Sequence, residues 1–308
     1  MTLPDPVTFA IPVFVILIVI EAFAGKFNPK KADYEAKDTA TSLFMGLGNF
    51  TFGLINFGIV ASISAWVYEY RLFEIGYAWY AFVLVFFAED FCYYWFHRWS
   101  HEHRIWWAAH INHHSSQYYN LSTALRQSWT SDIAGTWAPW LLLSLIGIPT
   151  PLIVFQKGIS LVYQFWIHTE AINKMWAPVE WFFNTPSHHR VHHATNPKYL
   201  DSNYAGILII WDRMFGSFVP EDEAEPCRYG IVKQLASFNP LVVAFHEWIA
   251  IFKDVFSAKS LKGVFFYIFG PPGWSEDGSR MTSKMLKERE RRLLEKSAIS
   301  DHVLDPAE

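Results

Sequence analysis

Five long stretches of the chain are dominated by apolar residues. Residues 8–25, 42–66 and 76–96 each approach or exceed the roughly 20 residues that a helix needs to cross about 30 Å of hydrocarbon. Residues 132–148 and 150–167 form a shorter pair, divided by Gly147, Pro149 and Pro151, and the pattern predicts a helical hairpin there. The fold class expected is therefore an all-α integral membrane protein with about four transmembrane helices, spans plus hairpin. Further along, Tyr204 to Phe218 is apolar but too short to span. Residues 241–256, after Asn239 and Pro240, alternate as an amphipathic helix suited to the membrane surface. Residues 283–297 read as a charged, solvated helix with Ser283 as its N-cap. Three regions follow: N-terminal membrane helices over residues 1–80, a central unit over 81–220, and a cytoplasmic or interfacial C-terminal region over 221–308.

Composition sharpens the class. Of 308 residues 52% are hydrophobic and 18% charged, below the roughly 25% charge of soluble domains. A net charge of -4 argues against nucleic acid as a partner. Two cysteines, Cys92 and Cys227, do not make a disulfide framework. Ala22-Phe23-Ala24 resembles a signal-cleavage site, but residues 1–8 hold no Lys or Arg, so the first run is expected to stay as a membrane helix. Orientation comes from short loops. Lys26, Lys30, Lys31 and Lys37 follow the first run, whereas Arg71 follows the second in the company of Glu69 and Glu74. With the lysine-rich loop in the cytoplasm, the third run ends there at His97, and the hairpin delivers His168 to the same face. Bacterial inner membrane and endoplasmic reticulum both fit. Lys157 lies six residues past Pro151 and is expected to snorkel to the far interface.

Eleven of the thirteen histidines fall between His97 and His193. His97 and His101 are i,i+4. His110, His113 and His114 form H-x-x-H-H, and His189, His192 and His193 repeat it. Residues three and four apart share a helix face, so each group offers imidazoles to a common point. Eight or nine such ligands exceed one ion and imply a two-metal centre; imidazole suits iron, zinc, copper and nickel. The H-E-x-x-H of zinc hydrolases is absent, and spacing alone leaves copper open. Two irons beside apolar helices best suit attack by O2 on an unactivated C–H bond. Asp90, seven residues before His97, is expected to orient a ligand histidine; Asn120, Asn203 and Asp212 are weaker candidates for such support.

The order H-x3-H, H-x2-H-H, H-x2-H-H resembles the fatty acid hydroxylase/sterol desaturase superfamily of membrane di-iron oxygenases. The stretches His113 to Ser128, Tyr163 to Glu170, Asn184 to His193 and Asn203 to Phe218 are most similar to its ether-lipid-cleaving branch. The likeness covers roughly residues 80–220. It implies iron ligation by His97, His101, His110, His113, His114, His189, His192 and His193, and a requirement for Glu102. It also implies tetrahydrobiopterin or an electron-transfer protein as external reductant. Family members often carry another H-x3-H near residue 168; here Gln164 takes its first position, His168 becomes a ninth ligand, and Gln164 is expected to hydrogen-bond a metal-bound water. His188 and His103 fall off the ligand spacing and are expected beside the centre or at the interface. His246 and His302 are expected to be incidental.

The function expected is a lipid monooxygenase that uses O2 and a separate electron donor. Desaturation or sterol oxidation by the same centre is the alternative, and a metal transporter is a third reading. Transporters place their polar groups near the bilayer midplane, whereas these gather at helix ends. Neither G-x-G-x-x-G nor a P-loop is present, so Gly46-Leu47-Gly48 reads as helix packing.

Overall fold

A computed structural model describes residues 3–28 and 32–304, which leaves Lys30 and Lys31 of the orientation argument, and the side chain of His302, outside the described parts. Among the described residues there is no β-strand, only an isolated bridge between Ala194 and Tyr229. The fold is all-helical, as the apolar periodicity predicts.

Helix α1 (Pro6–Gly25) starts where Asp5 accepts the Val7 and Thr8 amides and Pro6 fills the first turn. Helix α2 (Ala36–Glu69) has 34 residues, about 51 Å at 1.5 Å per residue. These two helices are long and apolar enough to cross a membrane. Most of α2 exposes its large apolar side chains, whereas its first turns bury Asp38, Thr41, Ser42 and Met45 against the rest of the protein. α2 thus passes from an exposed apolar stretch into a packed polar one.

Helix α3 (Trp79–Glu102) does not stop at the end of its apolar run but continues through His97 and His101. Glu89 and Asp90 lie buried at its middle, which sets it apart from α1 and α2. Two short helices follow, α4 (Arg104–Ala108) and α5 (Ile111–His114).

The expected hairpin is lopsided. Residues 131–137 form turns, and the first arm is helical only in a 3-10 turn (Ala138–Trp140) and in α6 (Leu141–Ile146). The Thr136 hydroxyl and Trp137 indole donate to the Ser131 and Asp132 carbonyls, closing turns around Gly135, and Pro139 brings no amide. The second arm is complete in α7 (Thr150–Trp166). Between them Gly147 sits at φ 115, with the Phe73 carbonyl oxygen 1.9 Å from where a Cβ would stand, so only glycine fits. Lys157 does not reach outward as expected. Its ammonium lies 4.2 Å from the centre of the Trp140 ring, and the Trp140 indole donates to Glu89 at 3.0 Å.

Phe14 of α1 stacks on Phe165 of α7 at 3.9 Å, and the same core takes in Leu121 and Ala124. Beyond α8 (Ala177–Phe182), α9 (Pro186–His192) and α10 (Ile210–Phe215), the amphipathic α11 (Pro240–Ser257) and α12 (Leu261–Phe269) lie against α4. Arg104 fastens α11 through Glu247 at 2.7 Å and Asp254 at 2.6 Å, and α12 by donating to the Tyr267 carbonyl at 3.4 Å. The charged α13 (Ser283–Leu304) follows, and Ser283 is its first residue rather than its cap.

Candidate metal centre

The chain brings nine imidazoles together from four places: the end of α3 (His97, His101), α5 and the residue before it (His110, His113, His114), the second residue past α7 (His168), and the middle and C-terminal end of α9 (His189, His192, His193). They form two groups, His97, His101, His110, His114 and His192 in one, His113, His168, His189 and His193 in the other. Within each group the ligand atoms lie within 4.8 Å of one another. The grouping differs in one respect from the helical-face reading. Each H-x-x-H-H motif divides between the groups: His110 and His114 go to the first while His113 goes to the second, and His189 and His193 go to the second while His192 goes to the first. Residues i+3 and i+4 diverge by about 100° around a helix, enough to serve two adjacent points.

Backbone carbonyls orient the rings. Nδ1–H donates from His97 to Tyr204 at 2.8 Å, from His192 to Ser202 at 2.9 Å, from His113 to Arg126 at 3.3 Å and from His168 to Gln164 at 2.7 Å. A carbonyl can only accept, so each neutral ring keeps a lone pair on Nε2. These Nε2 atoms converge. His113 and His168 face each other at 3.2 Å, lone pair against lone pair. Buried Nε2 atoms of His101 and His192 have no hydrogen-bond partner. Burial holds His110, His114, His168, His189, His192 and His193 well below the usual histidine range, and His113 at about 4. Neighbouring imidazoles push most of them the same way. Facing lone pairs repel unless a cation lies between them, so this arrangement fits metal. The donor set is all imidazole, without thiolate, which suits iron, zinc or copper.

The loop after Tyr199 supplies two of the four carbonyls, and it is strained and pinned. Asp201 (φ 45) and Asn203 (φ 56) occupy left-handed conformations. The Asp212 carboxylate accepts the Tyr204 and Ala205 amides, both at 2.8 Å, and the Ser217 hydroxyl at 2.6 Å. Asp90 accepts the Ile207 and Leu208 amides at 2.7 and 3.0 Å and the Trp211 indole at 2.9 Å. The expectation that Asp90 holds a ligand ring is therefore corrected. It anchors the loop whose Tyr204 carbonyl does so, because two adjacent amides satisfy a buried carboxylate better than one imidazole N–H. Asn203 fastens the same loop to the His188 and Val219 carbonyls. Gln164 contributes its backbone carbonyl, while its side chain donates to Ser160. His188 turns away from both groups to Glu180, 3.0 Å from its Nε2. Asn120 donates to the Asp33 carbonyl and His103 pairs with that of Phe269. Glu102 pairs with Arg98 at 2.8 Å, at the end of α3 and not among the imidazoles.

Three supports had no place in the sequence reading. Arg126 is buried against Asp38 and Ser42 of α2 and Ser115, and its own carbonyl holds His113. Arg190 ties the His189–His193 segment to Glu221 and to the carbonyls of Thr169, Ile172 and Asn173. Glu21, in the first apolar run, accepts from Tyr34, the Leu121 amide and Thr169, next to His168. Glu21 alone left a signal, as the single acid of that run.

Beside the imidazoles opens a cavity of about 640 Å³, bordered by His101, His114, His192 and His193 on one side and by residues 230–235 and α11 on the other.

Residues 82–217 match the fatty acid hydroxylase family. The chain is 40% identical over 283 residues to the human alkylglycerol monooxygenase, covering 90% of this chain and 62% of that protein. It is 39% identical over 285 residues to the Xenopus tropicalis alkylglycerol monooxygenase, covering 90% and 61%. An ornithine lipid hydroxylase, OlsE of Rhizobium tropici, is 26% identical over 147 residues, 48% of this chain and 44% of that protein. The chain thus spans about three-fifths of the length of the alkylglycerol monooxygenases it matches. No solved structure matches it.

Proposed function

We propose, for a chain whose residues 82–217 form a domain of the fatty acid hydroxylase family, that it is a membrane-bound di-iron monooxygenase that hydroxylates a lipid C–H bond. The observation that carries this reading is the pair of converging imidazole groups, in which the Nε2 lone pairs of His113 and His168 face each other at 3.2 Å. His97, His101, His110, His114 and His192 would hold one ion; His113, His168, His189 and His193 would hold the other. Bound iron would supply O2 activation and the redox change; the protein supplies orientation and exclusion of side reactions. The overall balance is RH + O2 + 2 electrons + 2 protons giving ROH + H2O. The electrons come from an external donor, tetrahydrobiopterin or an electron-transfer protein. Hydroxylation at the carbon beside an ether oxygen gives a hemiacetal that falls apart to aldehyde and alcohol. Likeness to the alkylglycerol monooxygenases makes an ether lipid the first substrate to try.

Residues 1–80 serve as membrane anchor, 81–220 as catalytic unit and 221–308 as its cover. α1 and α2 span, α3 with the α6–α7 pair completes an arrangement of about four crossings, and the centre faces the cytoplasm. Lipidomics of cells with and without the protein tests the reading. A product that gains oxygen, or an aldehyde released from an ether lipid, supports it; a product that only loses two hydrogens replaces hydroxylation with desaturation. His189→Ala abolishes the product while the protein still inserts in the membrane; an undiminished product removes His189 from the ligands.

A further inference from the structure

A pair of stacked phenols continues the second imidazole group outward. Tyr119, 3% exposed, sets its ring centre 5.2 Å from that of His193 and 5.9 Å from that of His168. Tyr229 lies against Tyr119 at 4.7 Å with the ring planes 14° apart. The backbone fixes both. Tyr229 makes the antiparallel bridge to Ala194, next to His193, and the Thr195 amide donates to the Arg228 carbonyl at 2.6 Å. Asn120, next to Tyr119, is tied to the Asp33 carbonyl at 2.7 Å. Ring contacts therefore run unbroken from two ligands of one metal position to Tyr229.

The two hydroxyls have different partners, and this decides what each phenol can do. Tyr119 donates to the Ile167 carbonyl at 3.0 Å, whereas Tyr229 donates to the Glu170 carboxylate. A phenol that gives up an electron must shed its proton, which a carboxylate takes and a backbone carbonyl does not. The Glu170 side chain is 31% exposed, so that proton stays within reach of solvent. Three other aromatic side chains donate to carboxylates: Tyr34 to Glu21, Trp140 to Glu89 and Trp211 to Asp90. Among the described residues Tyr229 alone of the four reaches an imidazole through another phenol. Tyr93, Tyr204 and Trp107 touch imidazoles of the first group, and none of them donates to a carboxylate among the described residues.

We infer that Tyr119 and Tyr229 form a one-electron route out of the second metal position, in which Tyr229 is oxidised and Glu170 takes its proton. The inference rests on the di-iron monooxygenase reading and adds what happens when O2 is activated with no lipid in place. The Tyr229 O–H bond breaks, an O–H bond forms on Glu170, and the electron passes through Tyr119 to the oxidised centre. The external donor then returns one electron to the Tyr229 oxygen radical, which recovers its proton from Glu170. Two such passes, with two protons from solvent, reduce the second oxygen atom of O2 to water in place of the alcohol. Oxidising power is thereby kept off the ligand histidines. Tyr119 relays the electron without holding the radical, because its hydroxyl has no base.

Electron paramagnetic resonance tests this on the full chain in detergent, loaded anaerobically with iron, mixed with O2 without lipid and freeze-quenched. Wild type gives a tyrosyl radical, identified by the change in its line shape when the protein is made with ring-deuterated tyrosine. Tyr229→Phe keeps the stack but removes the hydroxyl, and the signal is lost. Glu170→Gln lowers its yield by about tenfold or more. Tyr119→Phe delays its appearance. Tyr34→Phe, which removes a different tyrosine–carboxylate bond, leaves it unchanged. Iron content read on the same samples separates loss of the radical from loss of metal. The inference is overturned if Tyr229→Phe or Glu170→Gln keeps the full signal, or if Tyr34→Phe abolishes it with iron still bound. It is also overturned if wild type holds two irons and consumes O2 with no tyrosyl signal, a result that leaves the functional reading standing. A Tyr229 radical in a protein that yields no oxygenated lipid overturns the functional reading and supports the route. A chain that binds no iron overturns both.

Discussion

Replacing Asp212 by Asn separates the two metal positions. The native carboxylate accepts three donors, the amides of Tyr204 and Ala205 and the hydroxyl of Ser217. An asparagine has the same shape, but one of its terminal atoms becomes an NH2 group facing a donor. At least one buried N–H is then left unpaired, at a cost of about 1–3 kcal/mol. The strain falls on the loop whose Ser202 and Tyr204 carbonyls orient His192 and His97. Both rings belong to the first group. The second group takes its carbonyl partners from Arg126 and Gln164, outside this loop. Loss of an orienting partner weakens metal binding by about 10–100-fold, about 1.4–2.8 kcal/mol at 1.4 kcal/mol per decade. Titration of purified protein with Fe(II), followed by metal analysis, then shows one tight and one weakened equivalent. Equal weakening of both equivalents, or of neither, refutes the assignment of this loop to the first group.

The crossed grouping predicts that His110→Ala and His113→Ala, three residues apart, disturb different ions. Each retains about one equivalent of metal, and the double variant retains neither; metal analysis of all three proteins checks this. Metal-free protein loses stability as pH falls. His113 is neutral when folded down to about 4 but titrates near 6.5 when unfolded, so the unfolded chain binds more protons between those values. Stability is then present above pH 6.5 and is lost towards pH 4, by about 3 kcal/mol for this residue at 1.36 kcal/mol per unit. Thermal unfolding across pH 4–7.5 reads it, and a flat profile contradicts it. Gly147→Ala forces a Cβ against the Phe73 carbonyl and into an unfavourable φ, destabilising by about 3 kcal/mol or more, which a melting curve in detergent measures.

The sequence made the histidines legible because they occur at helix spacing and imidazoles seldom cluster without cause. All nine expected positions stand in the two groups. The division between the groups was not legible, since i+3 and i+4 read as one face until the lengths of α5 and α9 and their crossing are known. Orientation of the rings was hidden for a different reason: it depends on backbone carbonyls, which every residue possesses. Asp90 was recognisable as a buried acid in need of donors, but its donors are amides more than a hundred residues away. The turns at 131–137 were masked by apolar composition, with Ser131, Asp132, Gly135 and Thr136 giving the weaker signal that prevailed. α11 was visible from its amphipathic period, whereas the cavity that its inner face borders was not.

Iron content after anaerobic loading of purified full-length protein decides most between one centre and two. Two atoms per chain, falling to about one in His110→Ala and in His113→Ala, is the expected result. At most one atom in the wild-type protein contradicts a paired metal site and everything built on it.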